Sequence, residues 1–188
     1  MKMRLLVVPF VAGLLVATPM RAADTEPPAA SSAAFHEIAW EELVPEGWDP
    51  LKGLRGMGNL GMLDDSNPRV LEAMREMRRV WNTAPTNDTL DGAAVKLPGY
   101  VVPLEQVKDE LKEFLLVPYF GACIHNPPPP ANQIVHVLLD KPVKGYRSMD
   151  TVWVSGTLKT FRQDSAMGAS GYRMQAAVVD RYEAATQR

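Results

Sequence analysis

A single cysteine, Cys123, stands in 188 residues, which excludes an intramolecular disulfide. Charge of one sign is also scarce: 20 Lys and Arg face 22 Asp and Glu, net −2. Nothing there supplies the clustered cations that draw nucleic acid or an anionic membrane. The long apolar run is missing too, since Leu5 to Ala17 is about thirteen residues, too short to span a bilayer comfortably. No P-loop, Gly-x-Gly-x-x-Gly, Gly-x-Ser-x-Gly or His-Glu-x-x-His sequence occurs, and an enzyme is not expected. Asp49, Asp64, Asp65, Asp88 and Asp91 lack calcium-loop spacing and read as capping or solvated residues. What is present is globular: 46% hydrophobic and 22% charged residues exclude wholesale disorder, collagen and coiled coil, and the length suits one domain with extensions.

Lys2 and Arg4 ahead of the Leu5 to Ala17 run are the pattern of a secretory signal peptide over residues 1–23. No cysteine follows the run to accept a lipid, so the expected product is soluble and periplasmic, without membrane insertion after cleavage. It keeps 17 basic against 22 acidic residues, which disfavours nucleic acid further. Residues 24–34, rich in Ala, Ser, Pro and Thr, read as a flexible tether.

Residues 35–91 are expected to form a helical and loop extension packed on a domain at 92–184. Ile38, Trp40 and Leu43 suit a short strand or one helical turn before Pro45. Five glycines between Gly47 and Asp65 suggest a surface loop. The spacing predicts a helix over 67–81: Asn67 can cap, Pro68 suits the first turn, and Val70, Leu71, Met74, Met77 and Trp81 share one side. Strands are predicted at 94–104, 113–117, 132–140, 151–161 and 172–182, with Gly156, and in the same manner Gly99, where a coiled strand must bend. The fold class is therefore mainly β with an α-helical N-terminal extension (α+β). Its expected core is a small five-stranded antiparallel barrel of the oligonucleotide/oligosaccharide-binding (OB) type; a small sandwich is the alternative. Trp40, Trp81 and Trp153 read as core, Trp48 less so.

The stretch from Tyr119 to Gln133 is the most unusual. Pro127, Pro128, Pro129 and Pro130 form a stiff extended rod without backbone donors. Cys123 and His125 are two apart, so an extended backbone sends both side chains to one face, as two ligands of one metal require. His136 and Glu105 are the further ligands considered, with His36, another acid or water behind them. Zinc suits such a set first; copper, with Met149, Met167 or Met174 as a soft donor, comes second. Two other readings of Cys123 stay open: a buried structural thiol beside a hydrogen-bonded histidine, and a thiol that reacts with a partner. Should the loop serve as a docking surface, Tyr119, Phe120, the four prolines, Asn132 and Gln133 would form it.

Several stretches resemble one family of exported bacterial proteins carrying a domain of unknown function. They are Ile38-Ala39-Trp40-Glu41-Glu42-Leu43-Val44-Pro45, Gly99-Tyr100-Val101-Val102-Pro103-Leu104-Glu105, the run from Phe114 to His125, Pro127 to Pro130 with Asn132 and Gln133, Trp153-Val154-Ser155-Gly156 and Gly171-Tyr172-Arg173-Met174. The resemblance covers about residues 36–182. It implies a role in periplasmic zinc homeostasis, because members stand beside zinc-responsive ABC-type transport systems; an ABC-type transporter or another envelope protein is then the expected partner. The implied metal residues reach only to Cys123 and His125, and the chain departs from the lipoprotein leader of some members. The expected protein is a non-enzymatic zinc-handling accessory to transport. Its competitor is an interaction module that docks a membrane-protein or peptide partner, with Cys123 structural.

Overall fold

The computed structural model describes residues 35–51, 64, 66–122 and 128–182. The expected signal peptide and tether, most of the 47–65 loop, and Cys123, His125 and Pro127 lie outside them.

The architecture follows from one long strand that changes partners. β2 (Ala94–Val107) pairs antiparallel with β5 (Thr151–Ser165) along Ala94 to Tyr100, then with β3 (Glu110–Val117) from Tyr100 to Val107. β3 pairs antiparallel with β4 (Val135–Lys144), and β5 with β6 (Gly168–Arg181). The chain reverses between β4 and β5 and again between β5 and β6, so β4 and β6 run in one direction. They form the parallel pair that closes the barrel in the order β2-β3-β4-β6-β5-β2. Among the described residues this is a closed five-stranded barrel with one α-helix beside it, antiparallel at every barrel pairing but that one.

Alternation decides what faces inward. Phe114, Leu116, Val135, Val137, Leu158, Tyr172 and Met174 fill the interior, and each large apolar side chain buried there contributes about 1.5–3 kcal/mol. The opposite set from the same strands is buried as well: Val102, Leu115 and Val117 form a second cluster outside the barrel wall with Ala122, Ile134, Met149 and Met167. Gly156 sits at a register shift of the β5–β6 ladder, where an added Cβ would lie 2.2 Å from the Gln175 carbonyl oxygen. A bend with backbone pressed against backbone is thus the reason for glycine there.

The N-terminal segment is stitched to the barrel. β1 (His36–Glu37) pairs parallel with Val95 and Lys96 of β2, a 3-10 turn follows over Trp40–Leu43, and the Trp40 indole N–H donates to the Pro98 carbonyl at 2.7 Å. The Tyr172 hydroxyl, inside the barrel, donates to the Leu43 carbonyl at 2.6 Å and accepts from the Asn87 amide at 2.5 Å. Burial pushes its pKa up to about 12. α1 (Pro68–Asn82) is capped by Asn67, whose side chain accepts from the Arg69 amide. Its packed face is narrower than predicted: Val70 and Ala73 are buried, whereas Leu71 is 41% exposed. Among the described residues no helix is long and apolar enough to cross a membrane.

Candidate functional site

β3 ends at Val117, and Pro118 leads into a turn in which Gly121 takes φ 80° and the Ala122 amide donates to the Tyr119 carbonyl. The turn buries Gly121 and Ala122, and the Gly121 N–H points at the Met149 sulfur, 3.3 Å away. With the small residues inward, the aromatic pair faces out: Tyr119 is 47% and Phe120 66% exposed. Phe120 meets Tyr100 edge to face, ring centroids 6.0 Å apart. Tyr100 in turn walls a groove of about 230 Å³, shared with Trp40, Pro98, Pro118, Thr151 and Tyr182. Tyr182 stacks on Trp153, and the Lys96 ammonium lies 4.3 Å above the Trp153 ring. Aromatic residues thus line one continuous stretch where β2 changes partners. The tryptophans predicted as core explain why this stretch is hard to read from sequence: the Trp40 and Trp153 rings are only partly buried.

The far end of the loop turns inward. Pro129 is buried, Pro128 and Pro130 are partly so, and a 3-10 turn over Ala131–Gln133 brings the chain onto β4. Asn132, expected on a partner surface, is fully buried and donates to the Pro85 carbonyl at 3.0 Å. Gln133 donates to the Trp40 carbonyl at 2.9 Å. Both amides fasten the loop to the N-terminal segment, so among the described residues of the proposed surface Tyr119 and Phe120 are the exposed ones.

The expected metal residues do not converge among the described residues. His136 points outward from β4, yet is buried. Its Nδ1 meets Gln163 Oε1 at 3.1 Å, an oxygen that also accepts from Arg173 at 2.7 Å, so Nδ1 is the donor of this pair. Nε2 faces Glu113 Oε2 at 3.3 Å. With the Nδ1 proton committed to Gln163, Nε2 lies beside one carboxylate, Glu113, and no third ligand-type residue joins the pair among the described residues. Glu105 is exposed, 3.7 Å from the Lys112 ammonium. Met174 belongs to the barrel interior, while Met149 and Met167 pack the outer cluster. No group of three or more His, Cys, Asp or Glu gathers among the described residues. The residues present there do not fit a zinc ion, and the metal expectation is left with Cys123 and His125, outside the described residues.

A family model described as a protein of unknown function (DUF3299) matches residues 40–181. The crystal structure of a DUF3299 family protein from Pseudomonas aeruginosa PAO1 is 39% identical, with a TM-score of 0.61 over 80% of this chain and 98% of that one. No curated protein matches. With the match running from the Trp40 turn to the end of β6, the chain belongs to the DUF3299 family of proteins of unknown function.

Proposed function

We propose that the chain is a non-enzymatic, exported interaction module that docks an extended, proline-containing segment of an envelope partner. The observation that carries this reading is the exposed Phe120 ring, continuous through Tyr100 with the groove of Trp40, Pro98, Pro118 and Tyr182. Aromatic and proline walls suit a polyproline II segment, which is preformed and loses little conformational entropy on binding. OB barrels bind oligonucleotides or oligosaccharides on their second and third strands, here β3 and β4, whose outward-facing Leu115, Val117 and His136 are buried. Titration of the full chain with an oligoproline peptide, followed by tryptophan fluorescence, is expected to saturate and to weaken in Phe120→Ser and Tyr182→Ser. A response equal to that of a Gly/Ser peptide of the same length overturns the reading.

A zinc-handling accessory of an ABC-type transporter is the second reading. It rests on the Cys123-Ile124-His125 step, which follows directly on buried Ala122 near the Met149 sulfur. Stoichiometric zinc in protein purified without chelator, lost in both Cys123→Ser and His125→Ala, is its expected result. Zinc-free protein whose thiol reacts only after denaturation sinks it.

A further inference from the structure

A second cleft, sharing no lining residue with the aromatic groove, lies where the turn after α1 meets the β5–β6 hairpin. It originates in the ladder. Thr160 pairs with Tyr172 and Gln163 with Ser170, so Phe161 and Arg162 on β5 stand opposite Gly171 alone on β6. Such a bulge bends the strand and re-aims its side chains, and all three of these residues line the cleft. A Cβ at Gly171 would sit 2.9 Å from the Ala131 carbonyl oxygen, so the cleft floor is backbone against backbone. The volume is about 350 Å³, within the range of small-ligand sites.

The lining sets the ligand's chemistry. Among the described residues that line the cleft, Arg162 alone is charged and none is a carboxylate. Its partner Asp164, at 2.9 Å, forms an exposed pair that yields readily to a competing anion. Three threonines add polar atoms, and the hydroxyl protons of each are already committed: Thr83 to the Arg79 carbonyl, Thr86 to Asp88, Thr160 to Asp91. Their oxygens are left as acceptors. Asp91 also accepts the Thr160 amide, which holds its carboxyl below the ordinary range. Adjoining the wall, the fully buried Asn132 donates to Pro85 while its Oδ1 has no partner among the described residues, one more acceptor wanting a donor. Phe161, 44% exposed, has the Arg173 guanidinium 3.6 Å from its ring centroid and supplies an apolar wall.

We infer that this cleft binds an α-amino or α-amido carboxylate with an apolar side chain, the carboxylate on Arg162, the N–H toward the threonine oxygens and the side chain against Phe161. A free amino acid and the C-terminal residue of a peptide share that chemistry. The test titrates the full chain with phenylalanine, N-acetyl-phenylalanine and phenylalaninamide, following the amide resonances of Thr86, Thr160 and Gly171. Saturable shifts with either acid, weakened about tenfold or more in Arg162→Gln and in Phe161→Ser, support the site; the preferred acid then identifies a free amino acid or a chain end. Phe120→Ser leaves these shifts unchanged, which separates the cleft from the docking surface. No shift with either acid, equal binding of phenylalaninamide, or undiminished binding in Arg162→Gln overturns the inference.

Discussion

Two regions of this molecule use the same residue types to opposite ends. At the seam between the N-terminal segment and the barrel, the Tyr172 hydroxyl bonds Leu43 and Asn87, the Trp40 indole bonds Pro98, and Asn132 and Gln133 hold Pro85 and Trp40. At the turn after β3, Tyr119 and Phe120 face solvent. Aromatic and amide residues at the seam answer demands of the fold, because a buried polar group without a partner costs about 1–3 kcal/mol. Phe120 instead keeps most of its ring in solvent, as the proposed docking surface requires. The comparison predicts that stability and binding separate cleanly between the regions.

The largest effect is expected in the wall on which the seam rests. Gly156→Ala drives a Cβ into the Gln175 carbonyl and within 2.9 Å of the Ala176 Cα, atoms that move only if the β5–β6 ladder moves. A loss of about 3–5 kcal/mol is expected, roughly 6–20 °C in Tm for a chain of this size, measured by calorimetry. An unchanged Tm would show that the ladder can slide and that the seam is not fixed by the barrel.

Next is the seam itself. Tyr172→Phe removes the hydroxyl and leaves the Leu43 carbonyl and Asn87 amide without it, a cost of about 1–3 kcal/mol in denaturant unfolding. The pH profile sharpens the test. Burial raises the folded-state pKa of Tyr172 from the ordinary 10.0 to about 12, so the folded chain holds this proton more tightly than the unfolded chain. Its contribution is complete below about pH 10 and is lost as pH rises toward 12. Tyr146, also raised chiefly by burial, keeps part of the slope in the variant. Stability of Tyr172→Phe should therefore fall less steeply than wild type between pH 10 and 12; equal slopes would place the hydroxyl outside the seam.

Much of this frame was legible in the sequence. The predicted helix at 67–81 is observed at Pro68–Asn82, and the five predicted strands correspond to β2–β6, because period-2 burial and the Asn67–Pro68 cap are local signals. Gly156 was legible as a bend for the same reason. The second layer was not. Alternation assigns Leu115, Val117 and His136 to the solvent side; Leu115 and Val117 are buried against Ala122, Ile134, Met149 and Met167, and His136 sits between Gln163 and Glu113 of other strands, contacts that no local period carries. The candidate sites fared similarly: Phe120 was legible as surface within an unusual loop, whereas Asn132 and Gln133 look equally polar and face inward. Nothing around Phe161 and Arg162 announces a bulge, which exists only relative to Gly171 on the neighbouring strand.

The smallest stability effect is expected at the aromatic face, and there smallness is the point. Phe120 is 66% exposed and meets Tyr100 through one edge-to-face contact, so Phe120→Ser removes little buried area. Its unfolding free energy should stay within about 0.5 kcal/mol of wild type, as for surface substitutions generally. Loss of oligoproline binding with Tm unchanged would set the face apart from the seam as a recognition surface. A loss of stability comparable to that of Tyr172→Phe would mean that Phe120 is a lid on the outer cluster of Val102, Leu115 and Val117, and that the fold, not a partner, requires it.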